Sequence, residues 1–300
     1  MKNPLKQSIQ CWRWWYQLKS QGFFSLSEAC LQLDRVILPA RFAYRKAGQR
    51  LREEAQLTPM KDGITKVALP QHQLTFYWQG PIDNNLYFLI EQEFNAHNPH
   101  CYTTPPIQIT PESRVFDIGA CEGLFAFRLL KQDHCQAVTC FEPLKNMAQL
   151  IERGAHDNGI ASRLTVEPMA VSDLSGPVRL VASDNPDACR VEPCANTSAQ
   201  ADAMAIRLDD YLAEKQITLA PEDLIKIDAE GTDLAVINGA ADCIARSRPQ
   251  IAVTTYHVDE HVTEISQRLT ALNPSYRLRL KGFSHWTSKP RPVLLQASSL

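Results

Sequence analysis

Arg114-Val-Phe-Asp117-Ile-Gly119-Ala-Cys121-Glu-Gly123-Leu124 is the stretch that decides how this chain folds. A short run of strand-forming residues ends in a glycine-bearing loop, and Leu124–Lys131 then takes up helical periodicity. Glycines there permit a tight turn and a close backbone approach to a ligand lying near a helix N-terminus. In open α/β sheets, ligands collect at the carboxyl ends of the strands, near the point where strand order switches.

Downstream of this stretch the same unit repeats. Strands are expected at Ala137–Phe141, Leu164–Val171, Leu224–Asp228 and Gln250–Tyr256, alternating with helices at Met147–His156, Asp233–Ala245 and His261–Leu272. Tyr276–Lys281 and Val293–Gln296 are positioned to close the sheet, and Pro177–Val181 and Ala203–Arg207 read as extra strands. Between those two, the polar stretch Ser183–Gln200 lacks apolar periodicity and reads either as a flap over the sheet or as a disordered loop. The alternation predicts an α/β fold: a Rossmann-like, doubly wound sheet with helices on both faces.

Upstream lies a mainly helical extension. Leu5, Ile9, Trp12 and Tyr16 recur at helical spacing. Ser25-Leu-Ser-Glu28 is a capping-box pattern opening a helix whose apolar face runs through Ala29, Leu31, Leu33, Val36 and Ile37 to a stop at Pro39. Ala43–Leu57 is again helical, Val67–Pro70 with Leu74–Trp78 reads as a β-hairpin, and Asn84–Asn95 returns to helix. The expected division is therefore a residue 1–83 extension and a residue 84–300 catalytic domain.

Composition narrows the function. The formal net charge is −2, which gives no global attraction to nucleic acid. Residues 1–60 carry ten Lys/Arg and four Asp/Glu, so a basic arm precedes an acidic body. That arm is expected to dock on a membrane surface, to form a homo-oligomer face, or simply to pack with a solvated basic side. The nine cysteines include no C-x-x-C pair, which predicts a reducing, cytoplasmic setting without disulfides, peripheral to a membrane if the arm docks. No secretory signal is expected, because Lys6, Arg13 and Lys19 interrupt the N-terminal apolar residues.

Four constellations carry the chemistry. The loop reads Asp117-x-Gly119-Ala120-x-x-Gly123 and lacks the middle glycine that admits a dinucleotide pyrophosphate, which disfavours an NAD-dependent oxidoreductase. An acidic Asp117 at the mouth of the loop would instead suit the cationic methionine end of S-adenosylmethionine (SAM). Glu142, followed by Pro143, ends the next strand about twenty residues on, where a carboxylate hydrogen-bonds ribose hydroxyls. Met169-Ala170-Val171-Ser172-Asp173 follows Leu164–Glu167; in a class I methyltransferase sheet this region flanks the adenine, with Ser172 or Asp173 reaching its amino group and Ala170 and Val171 in contact. Finally, Ile225-Lys-Ile-Asp228-Ala-Glu230-Gly sets two carboxylates at a strand end, and His257 ends a neighbouring strand. Such a group can orient a hydroxyl, accept its proton, or hold a hard cation such as Mg²⁺.

Taken in order, Val115-Phe-Asp-Ile-Gly-Ala…Gly123, Phe141-Glu-Pro143, Ala170-Val-Ser-Asp173, Ile225-Lys-Ile-Asp-Ala-Glu-Gly231, Gly239-Ala, Arg248-Pro249 and His257 resemble the FkbM family of SAM-dependent methyltransferases. The resemblance covers residues 84–296. It implies a seven-stranded Rossmann-like fold and O-methylation of a hydroxylated small molecule, glycan or glycolipid, or of a natural product. Cys121 stands where the family usually has Asn, and Asp233 where it usually has a longer carboxylate. On this reading His257 is the base, with Asp228 and Glu230 orienting the acceptor or binding Mg²⁺. The rival from another class is a non-catalytic SAM-binding or adaptor protein, which would not need these groups at the methyl end.

Overall fold

The computed structural model describes residues 3–38, 40–132, 134–182, 189–194 and 201–300. Helix α1 (Pro4–Leu18) starts with proline at its first position and with the Asn3 side chain accepting the Leu5 and Lys6 N–H groups. The capping box at Ser25 is formed, with its Oγ accepting the Glu28 N–H at 3.2 Å, but it opens only one turn, α2 (Leu26–Ala29). The continuous helix expected through Ile37 is broken. Gln32 adopts a left-handed backbone (φ 47°), and α3 (Leu33–Ile37) begins after it. Two short turns thus replace one face, and the expected stop at Pro39 lies outside the described residues.

Helix α4 (Ala40–Glu54) leads into β1 (Gln56–Pro59), β2 (Ile64–Leu69) and β3 (Leu74–Gln79), a three-stranded antiparallel sheet in that order. Along β2 alternate residues are buried, the period-2 signature of a one-faced sheet. Helix α5 (Asn84–Phe94) is capped by Asp83. These elements share cores with the C-terminal part of the chain: Val67 and Phe76 pack in one cluster with Leu124 and Phe127, and Cys11 and Leu18 in another with Ile225 and Leu280.

The remaining elements are β4 (Arg114–Ile118), α6 (Leu124–Lys131), β5 (Ala137–Phe141), α7 (Lys145–Asp157), β6 (Leu164–Glu167), β7 (Ala170–Val171), β8 (Gly176–Ala182), β9 (Cys189–Pro193), β10 (Ala203–Ile206), α8 (Leu208–Glu214), β11 (Leu224–Ile227), α9 (Asp233–Gly239), α10 (Ala241–Ser247), β12 (Gln250–Thr254), α11 (His261–Leu272), β13 (Arg277–Phe283) and β14 (Pro292–Ser298). Seven strands form the main sheet in the order β13-β14-β12-β11-β4-β5-β6. Strands β6, β5, β4, β11 and β12 are mutually parallel, and β14 enters antiparallel between β12 and β13. Every residue of β11, β12 and β14 is buried, as expected for strands covered by helices on both faces. This is the Rossmann-like α/β sheet expected from the sequence. The order reverses at β4, so a crevice opens over the carboxyl ends of β4, β5 and β11.

Two expected elements are subdivided. Leu164–Val171 is not one strand: Pro168 cannot donate to a ladder, and the Met169 N–H turns back to the Glu167 carbonyl at 2.8 Å. Ala170–Val171 therefore leaves the main sheet for a second, four-stranded one in the order β7-β10-β8-β9. The helix expected over Asp233–Ala245 is split into α9 and α10 at Ala240, whose backbone is non-helical. A Cβ added at Gly239 would lie 1.9 Å from the Ser172 carbonyl oxygen, so this glycine is what lets α9 approach the second sheet. Most of the polar stretch Ser183–Gln200 lies outside the described residues.

Candidate active site

The loop after β4 is shaped first by packing. Gly119 is left-handed (φ 75°), and a Cβ on it would stand 2.0 Å from the Asp228 carbonyl oxygen at the end of β11. The Gly119 and Ala120 N–H groups both donate to the Phe141 carbonyl, tying the loop to β5. Cys121 is also left-handed (φ 53°), a conformation that favours Asn among non-glycine residues. Its N–H donates to Glu142 Oε2 at 3.0 Å, and Glu142 Oε1 accepts the Leu144 N–H at 2.9 Å. Burial pushes the Glu142 carboxyl up to about 7 against those two donors. Glu142 is thus locked in place at the carboxyl end of β5.

A cleft of about 600 Å³, open mouth included, lies over these strand ends. Gly119, Glu142, Pro143, Ala170 and Val171 line it on one side, and Asp228 and Glu230 on the other. Five residues expected to bind cofactor do not line it. Ala120 is packed in the core, and Gly123 opens α6 against Phe127 and Ile151. Ser172 is buried with its N–H on the Ile206 carbonyl, and Asp173 points to solvent.

Asp117 is the fifth. It is fully buried beneath the loop and sits in register with Lys226 on the neighbouring strand, whose Nζ is 2.8 Å from its carboxylate. The same ammonium donates to the Gly119 carbonyl at 2.7 Å, so the pair buttresses the loop from below. Burial would discharge Lys226, but Asp117 and Asp228 outweigh it and raise its pKa. Asp117 therefore offers no free charge to a ligand. The acidity of the cleft comes instead from Glu142, Asp228 and Glu230, and its described lining contains no Lys or Arg.

The second half of the site is built on the turn after β11. Glu230 (φ 50°) and Gly231 (φ 95°) both have positive φ; glycine adopts this freely, but at Glu230 such backbone persists only where surrounding contacts enforce it. Here the enforcing group is Asp233, fully buried at the start of α9. Its carboxylate accepts the Ala229 N–H at 2.9 Å, the Gly231 N–H at 3.1 Å and the Thr254 hydroxyl at 3.0 Å. It also lies 3.2 Å from His257 Nδ1 and 3.5 Å from His261 Nδ1. Burial alone would raise Asp233, yet His257 and these hydrogen bonds hold it far below the usual carboxylate range.

His257 is brought together with both acids. Its Nε2 is 3.6 Å from Asp228 Oδ1 and 3.6 Å from Glu230 Oε2, and among the described residues it has no hydrogen-bond partner. Burial works to lower its pKa, but Asp233, then Asp228 and Glu230, outweigh that and set it at about 9. Burial likewise raises Glu230 to about 7, against the opposing pull of His257. Asp228 is fixed by the Tyr102 hydroxyl at 2.7 Å and shares the single proton of the Thr254 hydroxyl, 3.1 Å away, with Asp233.

Sequence reasoning missed several of these neighbours. His100, 3.5 Å from Asp228, and Tyr102 come from the aperiodic connection between α5 and β4, which carries no motif. Burial lowers His100 to about 4, so it is neutral at physiological pH. Tyr256 and Trp286 stand edge-on to His100 and to one another, an aromatic wall beside the acids.

A divalent cation does not suit this donor set. Asp228, Asp233 and His257 each offer an atom within 4.8 Å of the others. Both Asp233 oxygens, however, already accept backbone N–H groups, and a cation there would have to displace the His257 contact as well. Mg²⁺ also prefers oxygen ligands over imidazole.

The sequence pattern of the methyltransferase FkbM domain matches residues 117–280, which is more than half of the chain and takes in both halves of the site. The chain belongs to the FkbM methyltransferase family. It is 25% identical over 195 residues to the 31-O-demethyl-FK506 methyltransferase FkbM of Streptomyces tacrolimicus, covering 55% of this chain and 74% of that protein. Among solved structures it is similar to an FkbM methyltransferase of Methylobacillus flagellatus KT (18% identity, TM-score 0.48, 84% of this chain) and spans 58% of that protein's chain. It is also similar to the Bacillus cereus O-methyltransferase in complex with SAH (15% identity, TM-score 0.40, 73% of this chain and 92% of that one). In this FkbM methyltransferase, no helix among the described residues is long and apolar enough to cross a membrane.

Proposed function

We propose that this methyltransferase transfers the methyl group of SAM to a hydroxyl of a sugar, glycan, glycolipid or natural product, with His257 as the general base. The observation that carries the proposal is His257 itself. Its Nδ1 is engaged by a buried carboxylate, while Nε2 faces Asp228 and Glu230 without a hydrogen bond of its own. In the neutral ring that arrangement puts the proton on Nδ1 and the lone pair on Nε2, aimed where an acceptor hydroxyl would lie.

When bound, SAM supplies an activated methyl on a sulfonium. The chain's own residues bind, orient and remove a proton. Glu142 is set to accept ribose hydroxyls, which would stabilise the carboxylate that burial now disfavours. Ala170 and Val171 offer apolar surface to the adenine. Three acids without a described Lys or Arg suit a cationic ammonium and sulfonium and disfavour a pyrophosphate. Asp228, fixed by Tyr102 and Thr254, and Glu230 would orient the acceptor by accepting from its neighbouring polar groups, which leaves the proton of the reacting hydroxyl for His257. His257 Nε2 then takes its proton as the oxygen attacks, so the developing alkoxide never carries a full charge.

Calorimetry tests the cofactor half of this reading. SAM is expected to bind and NAD not to bind, and Glu142→Gln should weaken SAM by roughly tenfold, the worth of hydrogen bonds to a charged group. Binding of NAD in preference, or an unchanged SAM affinity in the variant, would overturn it.

A further inference from the structure

Helix α1 has two apolar faces, and only one of them is used. Cys11 and Leu18 are buried against the body, and Gln7 Nε2 donates to the Ser288 carbonyl on the loop that carries Trp286. On the opposite side, Leu5 (69% exposed), Ile9 (47%), Trp12 (42%) and Tyr16 (68%) all project into solvent. At 100° per residue these four fall within an arc of roughly 60°. A free apolar stripe of this kind on a soluble surface marks an interaction site.

The charges around the stripe identify the partner. Lys6 and Arg13 are exposed along one edge, and Lys19 stands at the other, with its ammonium over the Tyr16 ring at 4.1 Å. The sequence contains four basic residues and no acidic one before Glu28. An apolar stripe bearing Trp and Tyr, bordered by Lys and Arg, matches the boundary between acyl chains and anionic headgroups. A second copy of the chain is the poorer fit. The exposed surface of the four stripe residues is only several hundred Å², whereas a stable dimer buries about 800 Å² per partner. Two such stripes would also bring their basic edges together.

We propose that α1 lies in the plane of an anionic lipid surface, with Leu5, Ile9, Trp12 and Tyr16 inserted and Lys6, Arg13 and Lys19 at headgroup level. This does not depend on the methyl-transfer reading. A protein that bound vesicles but methylated nothing would uphold it, and an active enzyme that ignored vesicles would refute it.

The test is co-flotation of the full chain with phosphatidylcholine vesicles made with and without phosphatidylglycerol. Binding should require the anionic lipid and weaken as salt is raised. Lys6→Gln with Arg13→Gln should reduce affinity by roughly twenty-five-fold, at about fivefold per basic residue. Trp12→Ala with Tyr16→Ala should reduce it by about tenfold or more. Circular dichroism and melting temperature should stay unchanged, because none of these side chains is packed in the core. If the aromatic pair proves unfolded, Leu5→Gln with Ile9→Gln provides the same reading. Absence of binding to anionic vesicles, or binding that ignores these substitutions, would overturn the proposal. So would sedimentation showing a dimer that the stripe variants convert to monomer.

Discussion

His257→Ala is expected to lower kcat by a factor of roughly 10² to 10⁴, the usual contribution of one positioned base, with SAM affinity nearly unchanged. The split follows from position. His257 is not among the residues lining the described cleft, and its Nε2 faces Asp228 and Glu230. Removing it also leaves Asp233 buried without its imidazole, so His257→Gln is the better-folded companion variant. Steady-state kinetics with calorimetric SAM binding separates loss of chemistry from loss of fold. The pH profile carries the sign. Only the neutral ring accepts a proton, and the free site holds it at about 9, so kcat/KM should rise with pH and level off above that value. The kcat limb should fall at lower pH, because a bound sulfonium beside the ring opposes its protonation. A flat profile across this range would contradict the base assignment.

Asp233→Asn should be nearly as damaging, through a group that never touches the acceptor. An amide can donate to Nδ1 and so favour the wrong tautomer, leaving a hydrogen on Nε2 and no lone pair for the acceptor. In Asp–His pairs of this type the loss is up to about 10⁴ in kcat. Because the negative charge that raises His257 is also gone, whatever activity remains should have its ascending limb displaced to lower pH. Unfolding should report the same change. The pKa of Asp233 is lower folded than unfolded, so its contribution to stability is full above the unfolded carboxylate pKa and is lost as pH falls. His257 has a raised folded pKa, so its contribution is present below about 6.5 and is lost as pH rises through about 9. The Asn variant should show a weaker dependence in both windows. An unaltered kcat, or a rate limb that does not move, would show that Asp233 only supports the turn.

The sheet was legible in the sequence because its strands are covered on both faces. Leu224-Ile-Lys-Ile227 and Gln250–Thr254 are buried throughout, and such runs bounded by loops carry a strong strand signal. Half of the site was legible for a related reason: Glu142 and Asp228 follow directly on strands and His257 lies three residues past the end of another, and strand ends over a switch point are where a ligand binds. The departures have a different origin. Asp117 stands beside the glycine loop in sequence, but its partner Lys226 is more than a hundred residues away and is met only through strand register. Asp233 poses the same problem, since its value lies in the donors that surround it. His100 and Tyr102 come from a connection with no period to read. A single helix over Ala29–Ile37 satisfies the apolar spacing, which a left-handed Gln32 leaves undisturbed in sequence while breaking it in space.

The proposed reaction is methyl transfer from SAM to an oxygen, with His257 taking the proton. Its most direct test is incubation of the wild-type chain and His257→Ala with SAM labelled in its methyl group, against a panel of sugars, glycolipids and hydroxylated natural products, read by mass spectrometry. The expected result is label on a hydroxyl oxygen of one acceptor class, at a rate that collapses in the variant. Label on nitrogen or carbon, undiminished transfer by His257→Ala, or tight SAM binding with no transfer to any member of the panel would contradict it.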